Sequence, residues 1–135
     1  MIDPENVPAV TEDEGLARFV LNSRYVSSGV VKQEAFIPRP YRELSVTRHL
    51  SATEEELWSV GKGVAEKQAK TLYGRADVSA AVCLLQNLVV KADPILDNPN
   101  HAEIGSWPVD KPGQKAIALE LAAVAKFVPF VDSTS

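Results

Sequence analysis

Between Glu43 and Gln68 the sequence changes its period, and this change restricts the fold more than any other feature of the chain. Leu44, Val46 and Arg48 alternate with Glu43, Ser45, Thr47 and His49, the pattern of a strand with two unlike faces. Thr53 then stands three residues ahead of Glu56, the spacing of a capping box in which each side chain accepts the other residue's backbone N–H. Glu54, Glu55 and Glu56 put three acids at the positive end of the helix dipole. Leu57, Val60, Gly61, Val64 and Gln68 continue at helical spacing and predict a helix over 54–69. Gly61 and Gly63 oppose it, each costing about 1 kcal/mol relative to alanine, which points to close approach by another element. A chain that passes from strand to helix within a few residues builds mixed layers of both.

Other segments carry similar signals. Asp13 caps an expected helix over 13–23, with Leu16, Phe19 and Val20 at i, i+3 and i+4. Asp77 caps another over 77–86, buried through Val78, Val82 and Leu85, with Asn87 as a left-handed stop. Asp110 caps a last helix over 111–127, with Pro112 in its first turn and Ile117, Leu121 and Val124 on one face, before Pro129 ends it. Further strands are expected at 88–92 and 101–107, and short extended pieces around the turn formers Ser27, Ser28 and Gly29. The expected fold is one α+β domain over 13–130: a small, mostly antiparallel sheet of three or four strands, with about four helices covering one face. An acidic arm over 1–12, flexible or loosely docked, precedes it, and 131–135 form a tail.

At 135 residues the chain can bury one core without disulfide or metal staples. A composition 45% hydrophobic and 24% charged excludes disorder throughout. Cys83 is alone among Ala80, Ala81, Val82, Leu84 and Leu85, so no intrachain disulfide forms and the thiol is expected to pack as a small hydrophobe. No charged-then-apolar leader opens the chain, and its apolar runs fall well short of the roughly twenty residues of a membrane span. A cytoplasmic location and no membrane partner are therefore expected. The net charge of −4 conceals an asymmetry, because Asp3, Glu5, Glu12, Asp13 and Glu14 are unopposed by bases. From Arg18 to Arg48, by contrast, Arg18, Arg24, Lys32, Arg39, Arg42 and Arg48 face only Glu34 and Glu43. Such a local excess can attract phosphate or an acidic partner, although a solvated surface accounts for it more simply.

The segment from Asn98 to Lys115 concentrates the candidate chemistry, since it holds His101, Glu103, Trp107 and Lys111. Two residues apart on a strand, His101 and Glu103 leave the same face, so an imidazole and a carboxylate can address one ligand; His49 joins them if its strand pairs alongside. These three are the catalytic candidates. Arg48, Arg75 and Lys111 are candidates to hold an anion, arginine through its two-pronged fork. Strand alternation sends Arg48 and His49 to opposite faces. Trp107 either closes the core or faces a partner. No cysteine pair or His-x-x-x-His spacing is present, so no metal and no cofactor are expected. Walker, nucleophile-elbow and dinucleotide templates are missing too, and the bases do not interleave with aromatics as in an RNA-binding sheet, so nucleic acid is not an expected partner.

The succession Ala35-Phe36-Ile37-Pro38, Glu43-Leu44-Ser45-Val46, Gly74-Arg75-Ala76-Asp77 and His101-Ala102-Glu103-Ile104 resembles a family of small uncharacterised bacterial proteins over roughly residues 30–125. The resemblance implies a bacterial origin and that these short motifs form one site; it implies no activity. The expected function is a cytoplasmic binding or accessory module that recognises another macromolecule, with a protein as partner, within a bacterial multi-gene system. The alternative is an enzyme or sensor acting on a phosphate-bearing nucleotide, with His101 transferring a proton while Arg48 and Arg75 hold the anion.

Overall fold

The computed structural model of the chain describes residues 1–38 and 43–131. Arg39 and Arg42 of the basic excess, and all of the expected tail beyond Val131, lie outside the described residues. In chain order the elements are β1 (Gly15–Val20), β2 (Val26–Ser27), β3 (Val30–Val31), β4 (Leu44–Arg48), α1 (Glu54–Lys67), β5 (Gly74–Ser79), α2 (Ala80–Leu85), β6 (Val89–Ala92), β7 (His101–Gly105), α3 (Lys111–Val124) and β8 (Lys126–Pro129). Two 3-10 turns, Ser23–Tyr25 and Gln33–Phe36, flank the β2–β3 hairpin. Six strands pair antiparallel in the order β6-β7-β4-β1-β5-β8. The class is thus mixed helix and antiparallel sheet, with more strands and fewer helices than expected.

The largest correction is β1. A helix was expected over 13–23, yet Gly15–Val20 is the strand between β4 and β5. A central strand is covered on both faces, so it does not show the polar alternation that marks a half-buried one. Leu16 and Val20 enter the main core, while Ala17, fully buried, and Phe19 project to the other side. Their spacing mimics i, i+3, i+4 over too few residues for periodicity to decide. The expected helix over 77–86 is divided in a similar way. Residues 74–79 pair along β1, with Ala76 and Val78 in the core and Arg75 and Asp77 opposite, which leaves α2 only 80–85. Asn87 does stop it, at φ 61°. The last helix ends at Val124 rather than 127, because Lys126–Pro129 pairs with β5 as an edge strand, where Pro129 has no ladder to break.

Helices cover both faces of the sheet, not one. Ala118, Leu121 and Ala122 of α3, with Ala35 and Phe36, pack into the main core formed by Leu16, Val46, Ala76 and Ile104. Trp107 closes this core at 6% exposure and donates its indole N–H to the Ile104 carbonyl at 2.9 Å. On the opposite face α1 lies over β1, and Phe19 crosses it at Gly61 so closely that a Cβ there would stand 2.7 Å from the ring. Two of the four expected caps are present, whereas Asp13 precedes a strand and Asp77 lies within β5. Thr53 and Glu56 complete the capping box that starts α1, and Asp110 accepts the Gly113 N–H at 2.8 Å to start α3.

The acidic arm is tied to the domain at four places, one of them the Ala81 N–H donated to the Glu12 carbonyl at 2.8 Å. Ile2 is buried and donates its N–H to Asn100 Oδ1 at 2.8 Å, the Met1 ammonium meets Glu56, and Arg48 donates to the carbonyls of Pro8 and Ala9. No helix of the described residues is long and apolar enough to cross a membrane.

Candidate functional site

The side of the sheet beneath α1 carries polar residues of β4, β7 and β5 in register, with Ala17 and Phe19 of β1 between them. Thr47 lies opposite His101 and Ser45 opposite Glu103. Ala17 lies opposite both Thr47 and Asp77, and Phe19 opposite Arg75. Each row is fixed by the pleat, because residues two apart share a face. Helix α1 crosses this surface without filling it. Its flank, formed by Ser59, Val60, Gly63, Val64 and Lys67, stands off from Phe19, Ser45, Thr47 and His101 and leaves a cleft of about 750 Å³. The turn between β6 and β7 closes one end with Ile95, Asp97 and Asn98, and Tyr25, Glu34, Ile37 and Glu43 border the other.

The turn is rigid at its base. Asn98 Nδ2 donates to Thr47 Oγ1 at 3.0 Å, and Asn100 Nδ2 donates to the carbonyls of Arg48 and Leu50. At its tip Lys67 of α1 forms an ion pair with Asp97, across the mouth of the cleft. Leu96, beside that pair, is 99% exposed.

Strand β4 separates from β1 at the cleft. Their ladder holds only Leu16↔Arg48 and Ala17↔Thr47, although β4 continues to pair with β7 as far as Leu44. The place of the next rungs is taken by the Arg18 side chain, whose Nε donates to the Ala35 carbonyl and Nη1 to the Ser45 carbonyl, both at 3.0 Å. Burial draws this guanidinium below its ordinary value, against the opposing pull of Tyr25 and Glu103. Leu44 and Val46 turn their side chains into the main core yet border the cleft, so they contribute main chain to its lining.

His101 and Glu103 do meet, with Nε2 and Oε1 3.3 Å apart. The other ring nitrogen lies 2.8 Å from the Asp93 carbonyl oxygen, which can only accept, so Nδ1 carries the hydrogen of that bond. Glu103 also accepts from the Ser45 hydroxyl at 3.2 Å. Asp93, His101 and Glu103 bring potential metal-ligand atoms within 4.8 Å of one another. The Asp93 carboxylate approaches Nδ1 and Glu103 approaches Nε2, however, and these are opposite edges of the ring. With Nδ1 bonded to the Asp93 carbonyl, one nitrogen and one carboxylate remain on the Nε2 side, fewer than the three or four protein ligands of a zinc site.

The other candidates are engaged elsewhere. Arg48 is fully buried on the core side, with Nε and Nη2 on Glu14 and further bonds to the Pro8 and Ala9 carbonyls. Four of its five N–H groups are thereby used. Arg75 donates to both Glu54 oxygens at 2.8 Å and to Asp77 at 3.1 Å, and its guanidinium stacks 4.7 Å from the centre of the Trp58 ring. Burial alone would lower its pKa, but hydrogen bonds and charge from Glu54 and Asp77 hold it above the ordinary value. His49 Nε2 lies 3.1 Å from Asp77 Oδ1, so His49, Asp77, Arg75 and Glu54 form one chain that fastens the start of α1 to β5. Lys111 is exposed at the start of α3, and Trp107 belongs to the main core. Cys83 is fully buried, and burial pushes its thiol up to about 11, which keeps it an unreactive hydrophobe at neutral pH.

No protein-family model matches this chain, and neither a curated protein nor a solved structure does.

Of the candidates singled out from sequence, the structure brings His101 and Glu103 together beside the cleft and gives His49, Arg48 and Arg75 other partners. Sequence reasoning missed Arg18, Thr47, Asn98 and Gly63 as lining residues. Only Gly63 left a signal, as a helix glycine without an evident reason.

Proposed function

We propose that the protein is a binding module that recognises another macromolecule by taking part of it into the cleft between α1 and the sheet. The observation that carries this reading is Gly63. Gly61 is required by the Phe19 ring, but among the described residues a Cβ at Gly63 meets nothing within 4 Å. A helix glycine costs about 1 kcal/mol relative to alanine, and packing among the described residues offers Gly63 no compensation. It lines the cleft, where a missing side chain makes room for a guest. The cleft volume of about 750 Å³ falls within the roughly 300–1,000 Å³ of binding pockets. Exposed Ile95 and Leu96 at its mouth supply apolar surface for the rest of a partner. The reading includes a cytoplasmic site of action, in keeping with one free and unreactive cysteine, and a place within a bacterial multi-gene system.

A nucleotide-directed enzyme is the weaker reading, because Arg48 and Arg75 already spend their donors on Glu14, Glu54 and Asp77. The test is recovery of the tagged protein from its native host, beside a Gly63→Trp variant that fills the cleft. A stoichiometric partner retained by the parent protein and lost by the folded variant is expected. A clean monomer, or a partner held equally by both, would overturn the proposal.

A further inference from the structure

The arrangement of the cleft floor specifies the kind of guest. We infer that the cleft takes an extended, uncharged peptide segment, bound through main-chain hydrogen bonds where β1 and β4 part. This rests on the reading of the cleft as the docking site.

Residues of a strand direct both N–H and C=O to the same neighbour. The Ser45 carbonyl is held by Arg18 of β1, and four residues further on His49 donates its N–H to the Gly15 carbonyl, so the odd-numbered residues of β4 face β1. Val20 sends its carbonyl to Tyr73 on the β5 side, so Phe19 faces β4. Continued at the observed register, the ladder would next pair Phe19 with Ser45, but it stops at Ala17↔Thr47. Arg18 takes the Ser45 carbonyl, but among the described residues the Ser45 N–H and the Phe19 N–H and C=O have no ladder partner across the gap, and an extended peptide is the guest that carries matching donors and acceptors at strand spacing.

The side chains beside the gap ask for the same group. Thr47 is 3% exposed and lines the cleft; its oxygen accepts from Asn98, and among the described residues its hydroxyl donates to no acceptor. His101, its partner across the ladder, is committed at both nitrogens, Nδ1 to the Asp93 carbonyl and Nε2 to Glu103 at 3.3 Å. The Thr47 hydroxyl as donor and the Phe19 carbonyl, which faces the same gap, as acceptor match the C=O and N–H of an amide. The charges lining the cleft select no ion: Arg18, Lys67 and Lys70 are balanced by Glu34, Glu43 and Asp97, and Lys67 is already paired. Phe19, Val60, Val64 and Ile95 then provide an apolar seat for a guest side chain, and Gly63 provides its space.

The probe is the capped tripeptide N-acetyl-Val-Leu-Val-amide, titrated into the isotope-labelled full chain and followed by amide NMR. Saturable shifts at Gly63, Thr47 and His101 are expected, with Kd below about 1 mM. The same peptide methylated on its central amide nitrogen should bind about tenfold more weakly, since one hydrogen bond is lost and its acceptor stays buried. Thr47→Val should weaken binding by about the same factor and Thr47→Ser should preserve it. If the valine variant unfolds through loss of the Asn98 bond, the serine variant and the methylated peptide carry the comparison. Absence of saturable shifts, equal binding of the methylated peptide, or tighter binding of inorganic phosphate at the same residues would each overturn the inference. Should the tripeptide fail while Gly63→Trp still abolishes partner capture, the cleft remains the docking site and only its guest has been misassigned.

Discussion

Two glycines in one helix should respond to the same substitution with opposite signs. In α1, Gly61→Ala and Gly63→Ala both remove the backbone freedom of glycine, which favours the helix by about 0.8–1.0 kcal/mol at either position. At Gly63 the new methyl meets nothing within 4 Å among the described residues, so the whole gain should appear as stability. At Gly61 it would stand 2.7 Å and 2.8 Å from two Phe19 ring carbons and 3.2 Å from Leu72 Cδ2. Real Cβ atoms do not approach so closely, so the Phe19 ring must swing or the helix must lift, at a cost of about 1–3 kcal/mol. The net effect at Gly61 is a loss of up to about 2 kcal/mol, and the two variants should differ by about 1–3 kcal/mol. Urea unfolding read at both tryptophans, with a shared m-value, measures this difference directly. In a Phe19→Ala background most of the penalty at Gly61 should vanish, leaving only the contact with Leu72. If both variants gain equally, or if Gly63→Ala destabilises by more than about 0.5 kcal/mol, then α1 does not pack on β1 through Gly61 and does not leave the cleft open at Gly63.

Two further outcomes test the frame around the site. Gly74→Ala would place a methyl 2.5 Å from the Val128 carbonyl oxygen, a main-chain atom that cannot rotate away; a loss of about 3 kcal/mol and early hydrogen exchange across β8 are expected, and a loss under about 1 kcal/mol would refute the register that pairs Gly74 with Pro129. Burial raises the pKa of Glu14, but hydrogen bonds from Arg48 and from the Thr11 amide, together with the Arg48 charge, hold it net below its ordinary 4.5. With the folded value depressed, its contribution is complete above the unfolded value and is lost as pH falls through the folded one. Glu54, held down mainly by its hydrogen bond from Arg75, adds a contribution of the same sign. Stability should therefore decline below about pH 4.5, and Glu14→Gln, which leaves Arg48 buried opposite a neutral group, should cost about 3 kcal/mol at neutral pH and flatten the acid limb. An unchanged acid limb in that variant would show that Glu14 does not govern it.

Much of the scaffold was legible in the sequence because its signals are local. The alternation over 43–49, the Thr53–Glu56 box, the Asp110 cap and the Asn87 stop each depend on residues within a few positions of one another. The pleat likewise places His101 and Glu103 on one face whatever lies beside them. Arg75 and Asp77 alternate with Ala76 and Val78, so a strand was available to the eye at β5 as well, but Asp77 also resembled a helix cap.

The sequence by itself determined where α1 and α3 begin, that helix and sheet must combine, and that His101 and Glu103 share a face. Tertiary structure alone decided that 15–20 is a strand, because a segment covered on both faces has no polar side to reveal its period. It also decided that Arg48 faces Glu14 and the docked arm, and that β4 leaves β1 after two rungs to open a cleft over Thr47 and His101. Those outcomes depend on groups brought together from distant parts of the chain, and no local pattern records which neighbour a strand will find or where it will let go.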